Sequence, residues 1–112
     1  MLNQFVSVYI PSTNHRVHGD NVRLSAKDHR TIAESAAGEL SRVAGGATIL
    51  PATGYFLSET GALVAEKILI VKSFFETDSG ILDCAHNIAT RVKAQLNQES
   101  VSVETNDGLE FV

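Results

Sequence analysis

Tyr55 and Glu66 are the side chains in this sequence best suited to chemistry, because each lies in an apolar, β-rich run next to the polar segment 58–61. This pattern predicts a β-hairpin with Gly61 at a positive φ. If Thr60-Gly61 forms a two-residue turn, Tyr55 lies directly across the ladder from Glu66. A carboxylate among apolar neighbours could act as a general acid or base, and a phenol could donate to developing charge. An ordinary surface glutamate and sheet tyrosine remain the alternative.

A second candidate is a basic region that runs from the segment before the first predicted helix into its first turns. A helix N-terminus offers free N–H groups, and guanidinium groups bind phosphate or carboxylate. Asp20 and Asp28 offset part of the charge, so a solvated polar surface is the alternative. The residues of this region are Arg16, Arg23, Lys27 and Arg30, with His15, His18 and His29.

The sequence gives no clear metal or cofactor signal. His15 and His18 are spaced like ligands, but no third ligand accompanies them. Gly45-Gly46 lacks the Gly-Lys-Ser/Thr continuation of a phosphate-binding loop and is interpreted as a helix stop. We expect neither a metal nor a cofactor, and we expect Cys84 to be a small residue beside the core.

The composition bounds the class of protein. The 112 residues are 44% hydrophobic and 20% charged, which is typical of one soluble globular domain spanning 1–112. A net charge of −4 gives no general attraction to nucleic acid or to an anionic membrane. A single cysteine and a start without a signal-peptide pattern favour the cytoplasm.

Hydrophobic periodicity predicts an α+β fold. A strand over 5–10 is followed by a loop over 12–24, a helix over 26–44 and the hairpin. A second helix and a strand at Val101 and Val103 come next. One face of the second helix carries Ile81, Ala85, Ile88, Val92 and Leu96. The order βαββαβ is the ferredoxin-like plan, with a four-stranded antiparallel sheet and two helices on one face. After the turn at 106–108, the last residues form either a short fifth strand or a tail.

The strand that begins near Leu63 is apolar on both faces, since Leu69 and Val71 alternate with Ile68 and Ile70. Helices cover only one face in this plan. The other face would present a large apolar patch to water, which monomeric proteins rarely do. We therefore expect a second copy of the chain to cover it.

The hairpin contains Thr53-Gly54-Tyr55, followed by Glu66-Lys67 at the head of an apolar strand. This pattern resembles a motif of the small PII-like trimers. These trimers include the bacteriophage S-adenosylmethionine lyases and the lyases of adenylated S-adenosylmethionine. Tyr55 directly follows Gly54 here, whereas those lyases insert one residue. The outline, with Gly45-Gly46 and the segment 98–101, is also similar to an uncharacterised family of ferredoxin-like domains.

The lyase resemblance implies a homotrimer with a nucleotide-type ligand at a subunit cleft. Tyr55 and Glu66 would lie nearest the sulfonium, and Thr53 and Gly54 would contribute to ligand binding. The implied reaction is an intramolecular displacement by the substrate carboxylate that yields a methylthioadenosine product and homoserine lactone. A non-enzymatic nucleotide-sensing or sequestering protein is the alternative, and a purely structural oligomerising domain is the third.

Overall fold

A computed structural model describes residues 1–15 and 21–112 of the chain. The molecule is elongated, with principal extents of 45 × 26 × 21 Å. Its elements, in chain order, are β1 (Gln4–Pro11), β2 (Thr13–Asn14), β3 (Val22–Arg23), α1 (Ala26–Ala44), β4 (Thr48–Leu57), β5 (Leu63–Phe75), α2 (Ile81–Gln95), β6 (Ser102–Thr105) and β7 (Gly108–Phe111).

Helix α1 has the predicted bounds, and its caps explain them. The Ser25 hydroxyl accepts a hydrogen bond from the Asp28 amide at 3.1 Å, which satisfies one of the free N–H groups of the first turn. Gly45 ends the helix with a φ of 91°, and its amide donates to the Ser41 carbonyl. The helix stop predicted at Gly45-Gly46 is therefore confirmed.

Helix α2 begins at Ile81, and its N-cap Gly80, with a φ of 99°, has no side chain to cap the helix. Asp78 still contributes, since its Oδ1 accepts from the Gly80 amide at 3.0 Å. The predicted apolar face is confirmed. Its five residues are all buried: Ile81, Ala85, Ile88, Val92 and Leu96.

The main sheet has five strands in the order β4-β5-β1-β6-β7, and every neighbouring pair is antiparallel. The α+β class with two helices and an antiparallel sheet is confirmed, and the C-terminal residues form a strand. The finer ferredoxin-like βαββαβ assignment stays a prediction, because the chain adds the β2–β3 ladder and β7 to those six elements.

One face of the sheet carries the core. Val6, Val8 and Ile10 of β1 are fully buried, and Val71 of β5 lies beside them. Both helices pack on this helix-covered face, since their buried residues belong to the same apolar cluster. Burial of such side chains stabilises the fold by roughly 1.5–3 kcal/mol each.

The opposite face, called here the open face, is covered by neither α1 nor α2. It carries apolar side chains from four strands, of which Leu50, Phe74, Leu109 and Phe111 are 43–70% exposed. Lys72 places its Nζ 4.2 Å from the Phe5 ring centroid and 4.9 Å from that of Phe74. The apolar second face expected from the sequence is therefore present.

The β4–β5 hairpin extends beyond the rest of the sheet. Pro11 is the last residue of β1 and pairs with Ile68, so residues 53–67 form a two-stranded projection called here the hairpin arm. Its apolar side chains are exposed on both faces, with Tyr55 at 67%, Phe56 at 52% and Leu63 at 67%.

Two sequence features, Arg16 and His18, lie outside the described residues. Within residues 1–15 and 21–112, no group of three or more histidine, cysteine, aspartate or glutamate side chains is arranged to hold a metal ion. No helix in that part of the chain is long and apolar enough to cross a membrane.

Candidate functional site

The hairpin register separates Tyr55 from Glu66. The connection spans 58–62, where the Ser58 amide donates to the Ala62 carbonyl at 2.8 Å, so the loop has five residues instead of two. Gly54 is consequently paired with Glu66, and Tyr55 with Ala65. The predicted cross-strand pair is wrong, because a shift of one residue turns a strand side chain to the opposite face.

Glu66 lies on the open face at the point where β1 ends. Its Oε2 accepts a hydrogen bond from the Ser12 amide at 3.1 Å, and the residue is half-buried. It borders a depression of about 130 Å³ together with Tyr9 and Pro11 of β1, Gln98 and residues 100–102. Small-molecule sites usually enclose about 300 Å³ or more, so this depression is too small to hold a nucleotide.

Gly54 provides space next to Glu66. A Cβ atom at this position would lie 2.6 Å from Cδ1 of Ile68, a distance that real Cβ atoms essentially never show. The absent side chain lets Ile68 lie across β4 beside Glu66. Gly54 does not line the larger cleft described below.

Tyr9 supplies a second phenol on the open face. Its hydroxyl donates to Oε1 of Glu104 at 2.8 Å, and both residues are part-buried. Burial raises the pKa of the Tyr9 phenol, and the hydrogen bond to the Glu104 carboxylate raises it further. Tyr9 therefore remains a neutral hydrogen-bond donor beside the depression that Glu66 borders.

A larger cleft of about 590 Å³ lies on the other side of the hairpin, between the arm, β3 and the start of α1. Arg23, Arg30 and Lys67 line it, and Thr53 is paired with Lys67 across the β4–β5 ladder. Among residues 1–15 and 21–112, no aspartate or glutamate lines the cleft. Its volume is in the range of sites for small molecules, and its charge favours an anion.

His29 forms part of the cleft wall on α1. Only 6% of the residue is exposed, and its Nε2 lies 2.9 Å from the Ile10 carbonyl oxygen. A carbonyl only accepts, so Nε2 carries the hydrogen. Nδ1 makes no hydrogen bond with the described part of the chain.

The cleft brings together three of the five predicted ligand-binding residues, Arg23, Arg30 and Thr53. Lys27 is exposed on α1 away from the cleft lining, and Gly54 belongs to the other side of the strand. Sequence reasoning missed Lys67 as a contributor. The alternation of side chains along β5 could have indicated it, since Lys67 must face opposite to Glu66.

The Glu66 depression and the cleft adjoin each other around one edge of β5. Ser12 lines the cleft while its amide binds Glu66, and Ile68 contributes to the wall of both. Tyr55 has the same strand parity as Thr53 and therefore lies on the cleft side of the hairpin arm. Two chemically different sites are thus separated by the thickness of one strand.

No protein-family model matches the chain, and no curated protein matches it in sequence. Two solved structures are similar in fold. A phage SAM lyase in complex with S-methyl-5′-thioadenosine superposes with a TM-score of 0.68 at 13% identity, over 97% of this chain and 88% of the other. A phage SAM lyase in the apo state gives a TM-score of 0.64 at 15% identity, over 97% and 87%. The chain therefore shares the fold of phage SAM lyase.

Proposed function

We propose that the chain is a homotrimeric lyase that acts on S-adenosylmethionine or an adenylated relative at a cleft between subunits. The observation that carries the proposal is the position of Glu66. In a chain with the fold of phage SAM lyase, this carboxylate is held at the sheet face that lacks a covering layer. A fixed carboxylate at this position can bind and orient a sulfonium ion.

The size of the Glu66 depression supports a site shared between subunits. At about 130 Å³ it cannot enclose an adenosine-bearing ligand, and in this proposal another molecule of the chain supplies the further walls. The open face and the hairpin arm offer the apolar surface for that contact. Interfaces of obligate oligomers are rich in such side chains.

The chemistry needs little acid or base catalysis. The carboxylate oxygen of the substrate attacks its own γ-carbon, so a C–O bond forms while the C–S bond breaks. The electron pair of the C–S bond stays on sulfur, and the sulfonium leaves as a neutral thioether. Homoserine lactone remains, and no proton is transferred. The protein accelerates this step by holding the reactive conformer, with Glu66 fixing the sulfonium.

Tyr55 acts in this proposal from a neighbouring subunit. Within one chain Tyr55 and Glu66 lie on opposite faces of the hairpin arm, so one subunit cannot present both to the same substrate atom. Tyr55 is 67% exposed on a projecting element, which suits a side chain that completes another subunit's site.

The proposal is tested by incubating the protein with S-adenosylmethionine and with its adenylated form, then measuring methylthioadenosine-type products by mass spectrometry. We expect turnover by the wild type and a loss of roughly hundredfold or more in Glu66→Gln, which removes the charge but keeps the shape. Glu59→Gln, in the exposed loop of the hairpin, is the matched control. Absence of turnover by the wild type contradicts the lyase proposal.

Nucleotide binding without chemistry is the second candidate, and the basic cleft favours it. Arg23, Arg30 and Lys67 can hold an anionic ligand whether or not Glu66 takes part in a reaction. A thermal shift with adenine nucleotides but no product would support this candidate. A purely structural oligomerising role would show neither a thermal shift nor a product.

A further inference from the structure

We propose that the cleft lined by Arg23, Arg30 and Lys67 is an oxyanion subsite that binds a phosphate group of the ligand. The inference deepens the proposed function and rests on it for the nucleotide character of the ligand. The subsite lies on the opposite side of β5 from Glu66, so the protein treats the cationic and anionic parts of its ligands separately.

The charge of the cleft is the first argument. Three side chains that carry full positive charge converge from three elements: β3, α1 and β5. No carboxylate in residues 1–15 or 21–112 forms an ion pair with any of them. Like charges that have no ion-pair partner among the described residues repel one another, and a phosphate relieves that repulsion.

The start of α1 is the second argument. Ala26 is the first residue of the helix and lines the cleft. The Ser25 hydroxyl satisfies the amide of Asp28, which leaves the earlier amides of the first turn available. A phosphate at this end also interacts favourably with the helix dipole.

His29 is the third argument and is independent of the surface charges. Only 6% of His29 is exposed, and the Ile10 carbonyl fixes its ring. Its Nδ1 has no partner among the described residues, although His29 contributes to the cleft wall. In a charged ring Nδ1 donates to an anion, and in a neutral ring it accepts from a hydroxyl, so a phosphorylated sugar satisfies either form.

Isothermal titration calorimetry at low salt tests the subsite with three probes: adenosine 5′-monophosphate, adenosine and inorganic phosphate. We expect the monophosphate to bind at least about tenfold more tightly than adenosine, because charge-assisted hydrogen bonds are stronger than neutral ones. Equal affinity for adenosine and the monophosphate would overturn the proposal. Inorganic phosphate binding as tightly as the monophosphate would support the subsite and identify the free ion as its ligand.

Two variants on different elements localise the binding. Arg30→Gln and Lys67→Gln should each weaken binding of the monophosphate by about tenfold, because each removes one charged contact. Arg42→Gln, in the last turn of the same helix, should bind like the wild type. Undiminished binding in both cleft variants, with thermal unfolding unchanged, would refute the assignment.

Glu66→Gln separates this inference from the proposed function. The substitution should abolish turnover of S-adenosylmethionine while leaving the affinity for the monophosphate within twofold of the wild type. If the wild type has no lyase activity but binding of the monophosphate still depends on Arg30 and Lys67, the oxyanion subsite is supported and only the lyase proposal fails.

Discussion

The two sides of β5 differ most where two consecutive residues carry opposite charges. Glu66 faces the open side, is half-buried and is held by the Ser12 amide, whereas Lys67 faces the cleft and is exposed among other cations. A strand delivers successive side chains to opposite faces, so one dipeptide contributes to two unlike sites. The contrast shows that residues adjacent in sequence need not serve the same part of a ligand.

The largest expected effect is a recovery of activity when two inactive variants are mixed, which tests whether Tyr55 and Glu66 act from different subunits. Glu66→Gln and Tyr55→Phe chains should each be inactive, but denaturing them together and refolding should restore turnover. Restoration follows if one subunit supplies Tyr55 and another supplies Glu66, since about a quarter of sites then contain both native residues after random assembly. The measurement is the rate of methylthioadenosine formation by the refolded mixture.

Each variant refolded alone is the control for that mixture. A mixture no more active than the separate variants would show that Tyr55 and Glu66 do not complete each other's sites across a subunit boundary. If the Tyr55→Phe variant is fully active alone, Tyr55 has no catalytic role.

An intermediate effect concerns the apolar surface around Glu66. Ile70→Asp places a charge at the centre of the open face, and we expect it to convert the oligomer to a monomer, because an unpaired charge in an apolar interface is costly. Light scattering coupled to size-exclusion chromatography measures the mass. Val43→Asp, at a 41% exposed position on α1, is the control and should not change it. A wild-type chain that is already monomeric would contradict self-association.

The smallest effect lies on the helix-covered face. Nε2 of His86 on α2 is 2.8 Å from Oε2 of Glu110 on β7, and Nδ1 is 2.7 Å from the Leu82 carbonyl. The hydrogen bond to Glu110 and the one to the Leu82 carbonyl raise the pKa of His86, with Asp83 adding to the effect. Both acceptors favour the charged ring.

This contact predicts a small dependence of stability on pH. Because the folded pKa of His86 is raised, its contribution is fully present below the unfolded value of about 6.5 and is lost as pH rises through the folded value. We expect less than about 1 kcal/mol, since the pair is exposed. Thermal unfolding between pH 5.5 and 8.5 should show the decline in the wild type, and an identical decline in His86→Gln would contradict this origin.

Much of the fold could be predicted from the sequence because its signals are local. Ser25 and Gly45 mark both ends of α1, and the period of the apolar residues from Ile81 to Leu96 gives the buried face of α2. The turn at 106–108 was predicted, but the sequence left open whether a strand or a tail follows it, and the structure has the strand β7. These features depend on hydrogen bonds and packing within a few residues of the signal.

The site was harder to predict because it depends on register. Thr60-Gly61 resembles a two-residue turn, but the Ser58 hydroxyl accepts from the Ala62 amide at 3.2 Å and extends the loop to five residues. Because this side-chain hydrogen bond favours the longer loop, Glu66 is paired with Gly54 and not with Tyr55. The cleft joins β3, α1 and β5, which no local pattern links, so the inclusion of Lys67 and the exclusion of Lys27 required the tertiary structure.

The five-residue connection between β4 and β5 also bears on how such a protein diverges. Strand β5 is fixed by its pairing with β1, so if the connection kept five residues after loss or gain of one residue at 58–62, β4 would shift by one residue and reverse its faces. A single codon deletion would then turn Tyr55 toward Glu66 of its own chain and Gly54 toward Lys67. Loop length would thereby act as a mutational switch between a shared and a self-contained arrangement of the same side chains.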